Sequence, residues 1–263
     1  MNVICIAHTA LSDEFLSQFD YVKDVGVCRQ MRNPYVDDGR NQRAAIALTA
    51  IRTCYSPLPP TQILPREGAK YFGQSASDGE GGTESDRLFR HIMRSGHAST
   101  CEHVVYTFAV ESVSRALLAQ LTRHRQLSFS VQSQRYVKFG SNDRSHGFDY
   151  VTPRSLHGKH VNYNGGMSAE EVYESAMQSL QAHYDVLREA GVPAEDARMV
   201  LPQAATCNLV LTGNLRAILE LYAKRNKSTH SQWEIADLAE AIRKEITKID
   251  AWTQLFFDYY SQS

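Results

Sequence analysis

The sequence predicts an α+β fold: a sheet from the first half packed with helices, and a second half that is mainly helical. Two patterns carry this expectation. Apolar residues alternate in "NVICIA", "HVVYTFAV" and "QLSFSVQSQRYVKF", all before residue 140, and a period of two marks strands with one buried side. Past residue 165 the apolar residues recur every three or four positions, which is helical spacing. The 263 residues are enough to bury about 70–75% of the unfolded surface. A single domain, 1–263, is therefore expected, with a core that needs no staples.

"NVICIA" opens the fold as a short strand, and the alanine-rich "QRAAIALTAIRTCY" (Gln42 to Tyr55) follows as a helix. Residues 56–86, "SPLPPTQILPREGAKYFGQSASDGEGGTESD", are dense in proline, glycine, serine and acids, so a long surface loop is expected there. "HVVYTFAV" places Val104, Tyr106, Phe108 and Val110 on one face of a strand. "SVSRALLAQLTRHR" reads as a helix capped by Ser112 or Ser114. Its stripe is Val113, Leu117 and Leu121, and it ends at Arg123-His124-Arg125. An extended segment follows, with Leu127, Phe129 and Val131 alternating against Ser128, Ser130 and Gln132.

Ser168 and Glu171 have capping-box spacing, with Val172, Ala176, Leu180 and Leu187 as the stripe below. Gly191 and Pro193 mark a stop and a restart. "GNLRAILELYAKR" is a further helix, and the segment with Ile235, Leu238, Ile242, Ile246 and Ile249 in phase is the last and longest.

Composition narrows the function. A 43% hydrophobic and 22% charged chain is ordinary for a globular protein. A net charge of −1 argues against a general nucleic-acid binder. The cysteines (Cys5, Cys28, Cys54, Cys101, Cys207) are scattered and form no C-x-x-C pair, so a reducing cytoplasm is expected, with no disulfides and no metal. The first apolar run is too short for a signal peptide, and no run of about eighteen apolar residues is available to span a membrane.

"RHRQLSFSVQSQRY", Arg123 to Tyr136, holds the chemistry. One reading is electrostatic: cations at a helix C-terminus gain about 0.3–1 kcal/mol from the dipole. The other is a phosphate-bearing ligand. Arginine forks match phosphate oxygens, and glutamine amides and serine hydroxyls suit a sugar or a base edge. Both readings stay open on composition alone. His97 and His103, with Glu102 beside them, could ligate a metal, but no H-E-x-x-H pattern is present. Ser133 with His124 lacks the G-x-S-x-G elbow of a hydrolase. "DGEGG" lacks the lysine of a P-loop, and no G-x-G-x-x-G occurs. Arg198 and Arg225 read by default as solvated surface.

Arg123-His124-Arg125, seven residues, then Ser133, resembles the signature of the flavin-dependent thymidylate synthases. "GHASTCEHVVYTF", "GVPAEDARMVLP", "GNLRAILELYAKR" and "HSQWEI" resemble further blocks of that family in the same order. The resemblance implies an enzyme that converts dUMP to dTMP. The carbon donor would be methylenetetrahydrofolate, the hydride source FAD reduced by NADPH, and no enzyme nucleophile would take part. It implies that dUMP lies against Gln120, Leu121, Thr122, Arg123, Val131, Gln132, Ser133, Gln134, Arg135 and Arg198. Arg225 would favour ionisation at N3 of the uracil, and His97 would lie near flavin and folate; these two are the implied catalytic residues. Ser99, Glu102, Arg123, His124, Arg125, Val131, Asn214, Leu215, Arg216 and Glu220 would hold FAD. The family is a homotetramer with shared active sites.

Three features depart from the family pattern. Val131 stands where a polar residue is common, so a flavin contact there would run through its backbone. Glu220, beside an anionic cofactor, would need a proton or a cationic neighbour. One extra residue separates Arg225 from His230, which makes Lys224 and Lys227 alternatives to Arg225. The rival readings are an RNA-binding module built on arginines and aromatics and a nucleotide-binding scaffold without catalysis.

Overall fold

The expected alternation builds a four-stranded sheet. The computed structural model describes residues 1–19, 42–162 and 166–262; Cys28 lies outside them. Strands β1 (Asn2–His8), β2 (Val105–Ser114) and β3 (Ser128–Val131) stand where the period of two placed them. Val104, Tyr106, Phe108 and Val110 are fully buried, as the one-face reading requires. A two-residue pair, β4 (His160–Val161) and β5 (Met167–Ser168), runs antiparallel with His160 opposite Ser168. Strand β6 (Thr206–Asn214) was not foreseen. The sheet order is β1-β2-β6-β3, so this late strand occupies an interior position. Cys207, Leu209 and Leu211 point inward, but Val210 blurs the alternation and Asn208, Gly213 and Asn214 are poor strand formers. The fold is α+β, as the sequence indicates, with its sheet completed from the second half.

The helices are α1 (Asp13–Phe19), α2 (Gln42–Thr53), α3 (Pro60–Gly73), α4 (Glu84–Ser95), α5 (Arg115–Leu121), α6 (Ala169–Glu189), α7 (Ala194–Ala197), α8 (Leu215–Arg225), α9 (Trp233–Ile249) and α10 (Gln254–Gln262). Helix α3 corrects the expected 56–86 loop. Its first prolines are at the helix start, where a missing N–H costs nothing. Ile63, Leu64 and Tyr71 are buried, and that apolar face outweighs the breaker signal of Pro65. Besides residues 56–59, the segment between α3 and α4 is irregular, closed by a bridge between Ser75 and Thr83.

Other boundaries shift for local reasons. Ser114 is the cap of α5, accepting from the Leu117 N–H, so Val113 belongs to β2 and not to a helical stripe. Helix α5 stops at Leu121, and Arg123-His124-Arg125 follows it. In α6 the Ser168/Glu171 capping box is present. The buried line is Met177 and Tyr184, while Ala176 is exposed. Gly191, with φ +86°, ends that helix and Pro193 precedes the next. The final segment is not the longest helix. It breaks at Asp250 into α9 and α10, and the 21-residue α6 is longer.

Internal contacts divide the chain into two units. One comprises Met1–Asn2, Ala109–Arg125 and Phe129–Leu211. Phe139, Tyr184 and Ala197 form a buried cluster in it, packed by Val137, Phe148, Leu187, Val192, Val200 and Leu201. The other comprises Val3–Phe108, Gln126–Ser128 and Thr212–Ser263. Its core includes a buried ion pair, Arg43 with Asp250, at 2% and 0% side-chain exposure. Asp250 also accepts from the Tyr106 hydroxyl at 2.7 Å and the Trp252 indole at 3.2 Å. Burial, with the Asp250 carboxylate adding to it, pushes the Tyr106 phenol well above its ordinary range, so the hydroxyl stays protonated and donates.

Candidate active site

In the first unit a pocket of about 330 Å³ is lined by Arg115, Gln134, Arg198, Met199, Leu201, Pro202 and Gln203. Helix α5 supplies Arg115 from its first position. The turn after β3 supplies Gln134, which is buried. Arg198 opens the short 3-10 turn Arg198–Val200 that continues α7. It is set by the fully buried Ala197 before it and by its own Nε donating to the Glu195 carbonyl at 2.9 Å. The sequence reading had named Gln134 and Arg198, sixty-four residues apart, and the fold brings them to one pocket.

It had missed Arg115. The signal was available: a cation at the start of a helix works against the dipole, so an arginine there needs another reason. Two guanidiniums and a buried amide around one pocket suit an anionic, hydrogen-bonding ligand.

The rest of the motif is arranged by backbone. Gln132 N–H donates to the Asn208 carbonyl at 2.8 Å, fixing the segment beside β6. The Ser133 hydroxyl accepts from the Arg135 N–H at 3.2 Å. Arg135 is exposed, pairs with Glu195 at 3.2 Å and lies over the Tyr136 ring. Thr122 gives its hydroxyl to the Leu118 carbonyl at 3.0 Å, and the Leu121 side chain is fully buried, so any ligand contact of Leu121 is through its backbone. Gln120 and Val131 are half-buried, Arg123 and Arg125 exposed, and His124 half-buried.

The second unit holds the other group. Arg216 lies between two carboxylates, at 2.6 Å from Glu102 and 3.2 Å from Glu220. The hydrogen bond to Glu102 leads in pushing its guanidinium further up. Glu220 thus has the cationic neighbour that the sequence reading required. Asn214 caps α8, its amide oxygen accepting from Ala217 N–H at 2.8 Å. Leu215 is fully buried and its N–H is taken by the Val104 carbonyl at 2.7 Å. Ser99 is exposed on the 3-10 turn Ala98–His103. His97 is exposed just before that turn, and its Nδ1 meets the Tyr55 hydroxyl at 2.7 Å. Arg225 is half-buried at the end of α8. Of the two nearby lysines, Lys224 is exposed and Lys227 pairs with Asp237 at 3.2 Å. Among the described residues no group of three or more His, Cys, Asp or Glu is placed to hold a metal ion, and no helix is long and apolar enough to cross a membrane.

Comparison with known proteins defines the class. Residues 38–250 match the family model described as thymidylate synthase complementing protein. The chain is 39% identical over 196 residues to the flavin-dependent thymidylate synthase of Geobacter sulfurreducens, covering 74% of this chain and 73% of that one. It is 32% identical over 212 residues to the enzyme of the same name from Haloarcula marismortui, covering 74% and 84%. Among solved structures, the flavin-dependent thymidylate synthase ThyX from Helicobacter pylori, complexed with FAD and dUMP, shares the fold. Its TM-score is 0.60 at 22% identity, over 98% of each chain. The UMP/dUMP methylase PolB from Streptomyces cacaoi, bound with 5-Br dUMP, superposes with a TM-score of 0.64 at 22% identity, over 98% and 94%. The chain belongs to the flavin-dependent thymidylate synthase family and is an enzyme of that class, a transferase.

Proposed function

We propose that the protein converts dUMP to dTMP with methylenetetrahydrofolate as the one-carbon donor. The observation that carries the substrate is the pocket where Arg115, Arg198 and Gln134 converge. A nucleotide phosphate there meets two guanidiniums, and hydrogen bonds to charged groups contribute about 1.5–3 kcal/mol each. Gln120, Leu121, Thr122, Arg123, Val131, Gln132, Ser133 and Arg135 complete the nucleotide cradle. In this reading Ser133 is an anchor and not a nucleophile.

The second cluster fits FAD by the chemistry of its donors. Arg216, held between Glu102 and Glu220, offers guanidinium N–H donors, and the exposed Arg123 and Arg125 offer the cations that a pyrophosphate needs. Ser99, Glu102, His124, the Val131 backbone, Asn214, Leu215 and Glu220 would complete that contact set. FAD, reduced by NADPH, supplies the hydride when bound. Arg225 holds the uracil edge and stabilises negative charge on N3, the role of a preorganised oxyanion donor. Its half-buried place at the end of α8 suits this better than the exposed Lys224 and Lys227.

Three of the described thiols are poorly suited to attack, which favours a route without an enzyme nucleophile; Cys54 is exposed. Only a thiolate attacks efficiently. Burial pushes Cys101 up to about 12 and raises Cys5; Cys207 is buried. In this reading the protein works in the cytoplasm as a homotetramer with shared active sites. Its activity should therefore sediment with the tetramer. Titration of the FAD-loaded enzyme with dUMP, followed by the flavin absorbance, is the direct test of the substrate assignment. A spectral change saturating with dUMP, and requiring at least tenfold more deoxyuridine, is the expected result. Equal affinity for the two would remove the phosphate from the pocket.

A further inference from the structure

Tyr55 is in none of the contact sets above, yet its hydroxyl lies 2.7 Å from His97 Nδ1. The two rings are 20° from parallel with centroids 6.3 Å apart. That separation is too wide for face stacking and close to the sum of both ring radii, the C–O bond and the hydrogen bond. The rings therefore meet edge to edge, and the hydroxyl approaches in the imidazole plane, where the Nδ1 lone pair lies.

Both ends of the contact are built on fixed backbone. Tyr55 and Ser56 donate their N–H groups to the Arg52 carbonyl at 2.9 and 2.7 Å, as α2 closes. The Arg52 side chain is held by Glu67 at 2.6 Å, and the Ser56 hydroxyl bonds the same carboxylate at 2.7 Å. On the other side, Gly96 ends α4 with φ +73°. His97 N–H reaches back to the Ile92 carbonyl, and the His97 carbonyl accepts from Thr100 N–H and hydroxyl. Tyr55 is 52% exposed and His97 is exposed too. A hydrogen bond between two exposed side chains adds little to stability, so the fold does not require this one.

We propose that Tyr55 is a positioning residue for His97. Its hydroxyl donates to Nδ1, which keeps the ring proton on Nε2 and fixes the plane of the imidazole. His97 then presents a single N–H donor, Nε2, to the flavin or folate, together with a flat edge extended by the tyrosine ring. A second hydrogen bond choosing the tautomer of a functional histidine is a general device. The role of His97 rests on the function proposed above; the tautomer does not.

Tyr55→Phe keeps the ring and removes the hydroxyl. With 15N-histidine labelling, and the His97 signals assigned through His97→Gln, the wild type should show the Nε2–H tautomer and Tyr55→Phe a mixture. The variant should melt with the wild type, keep its KM for dUMP and lose about tenfold in kcat, the scale of one hydrogen bond. On a His97→Gln background the same change should have no further effect. An unchanged tautomer overturns the proposal whatever the activity. A kcat loss that persists without His97, or a lowered melting temperature, overturns it as well.

Discussion

Arg198→Ala raises the KM for dUMP about ten- to a hundredfold, the loss of one charge-assisted hydrogen-bonding group from the phosphate end of the nucleotide. Arg198 is held by its Nε on the Glu195 carbonyl, so its remaining nitrogens are preorganised toward the pocket it shares with Arg115 and Gln134. Arg198→Lys keeps the charge but loses the planar fork, and falls between wild type and alanine. Neither change should move the unfolding midpoint appreciably, because a partly exposed arginine without a buried partner contributes within about 0.5 kcal/mol. Steady-state kinetics at varied dUMP checks this. A KM for dUMP unchanged in Arg198→Ala would detach the pocket from the substrate.

Asp250→Ala is expected to cost about 3–5 kcal/mol of stability, since it breaks a buried ion pair by removing the carboxylate that faces the Arg43 guanidinium. Arg43 and Asp250 are essentially inaccessible to solvent, and the Tyr106 hydroxyl and Trp252 indole would lose an acceptor in the same change. The guanidinium keeps contacts to His8 Nδ1 at 2.9 Å and the Thr9 carbonyl at 3.4 Å. Denaturant unfolding measures the loss. A destabilisation below about 1 kcal/mol would mean that the site relaxes to admit water.

Strands with clean alternation were legible, and so were capped amphipathic helices: Val104 to Val110 and the Ser168/Glu171 box stand as read. Helix α3 was hidden because prolines score as breakers wherever they occur, while their cost depends on position in the helix. Strand β6 was hidden because an outward valine makes "LVL" a run instead of an alternation. At the site, the arginine-rich motif marked one wall of the pocket. Arg115 left only the local sign of a cation at a helix start, and Tyr55 left none. Each matters only through a partner distant in sequence, Arg198 for one and His97 for the other. No local pattern records such a meeting.

The central claim is that this chain makes thymidylate with a flavin. Purified enzyme, stripped of flavin and supplied with dUMP, methylenetetrahydrofolate and NADPH, should form dTMP by chromatography only when FAD is restored. Product formed equally well without FAD, or none from enzyme with FAD demonstrably bound, would contradict it.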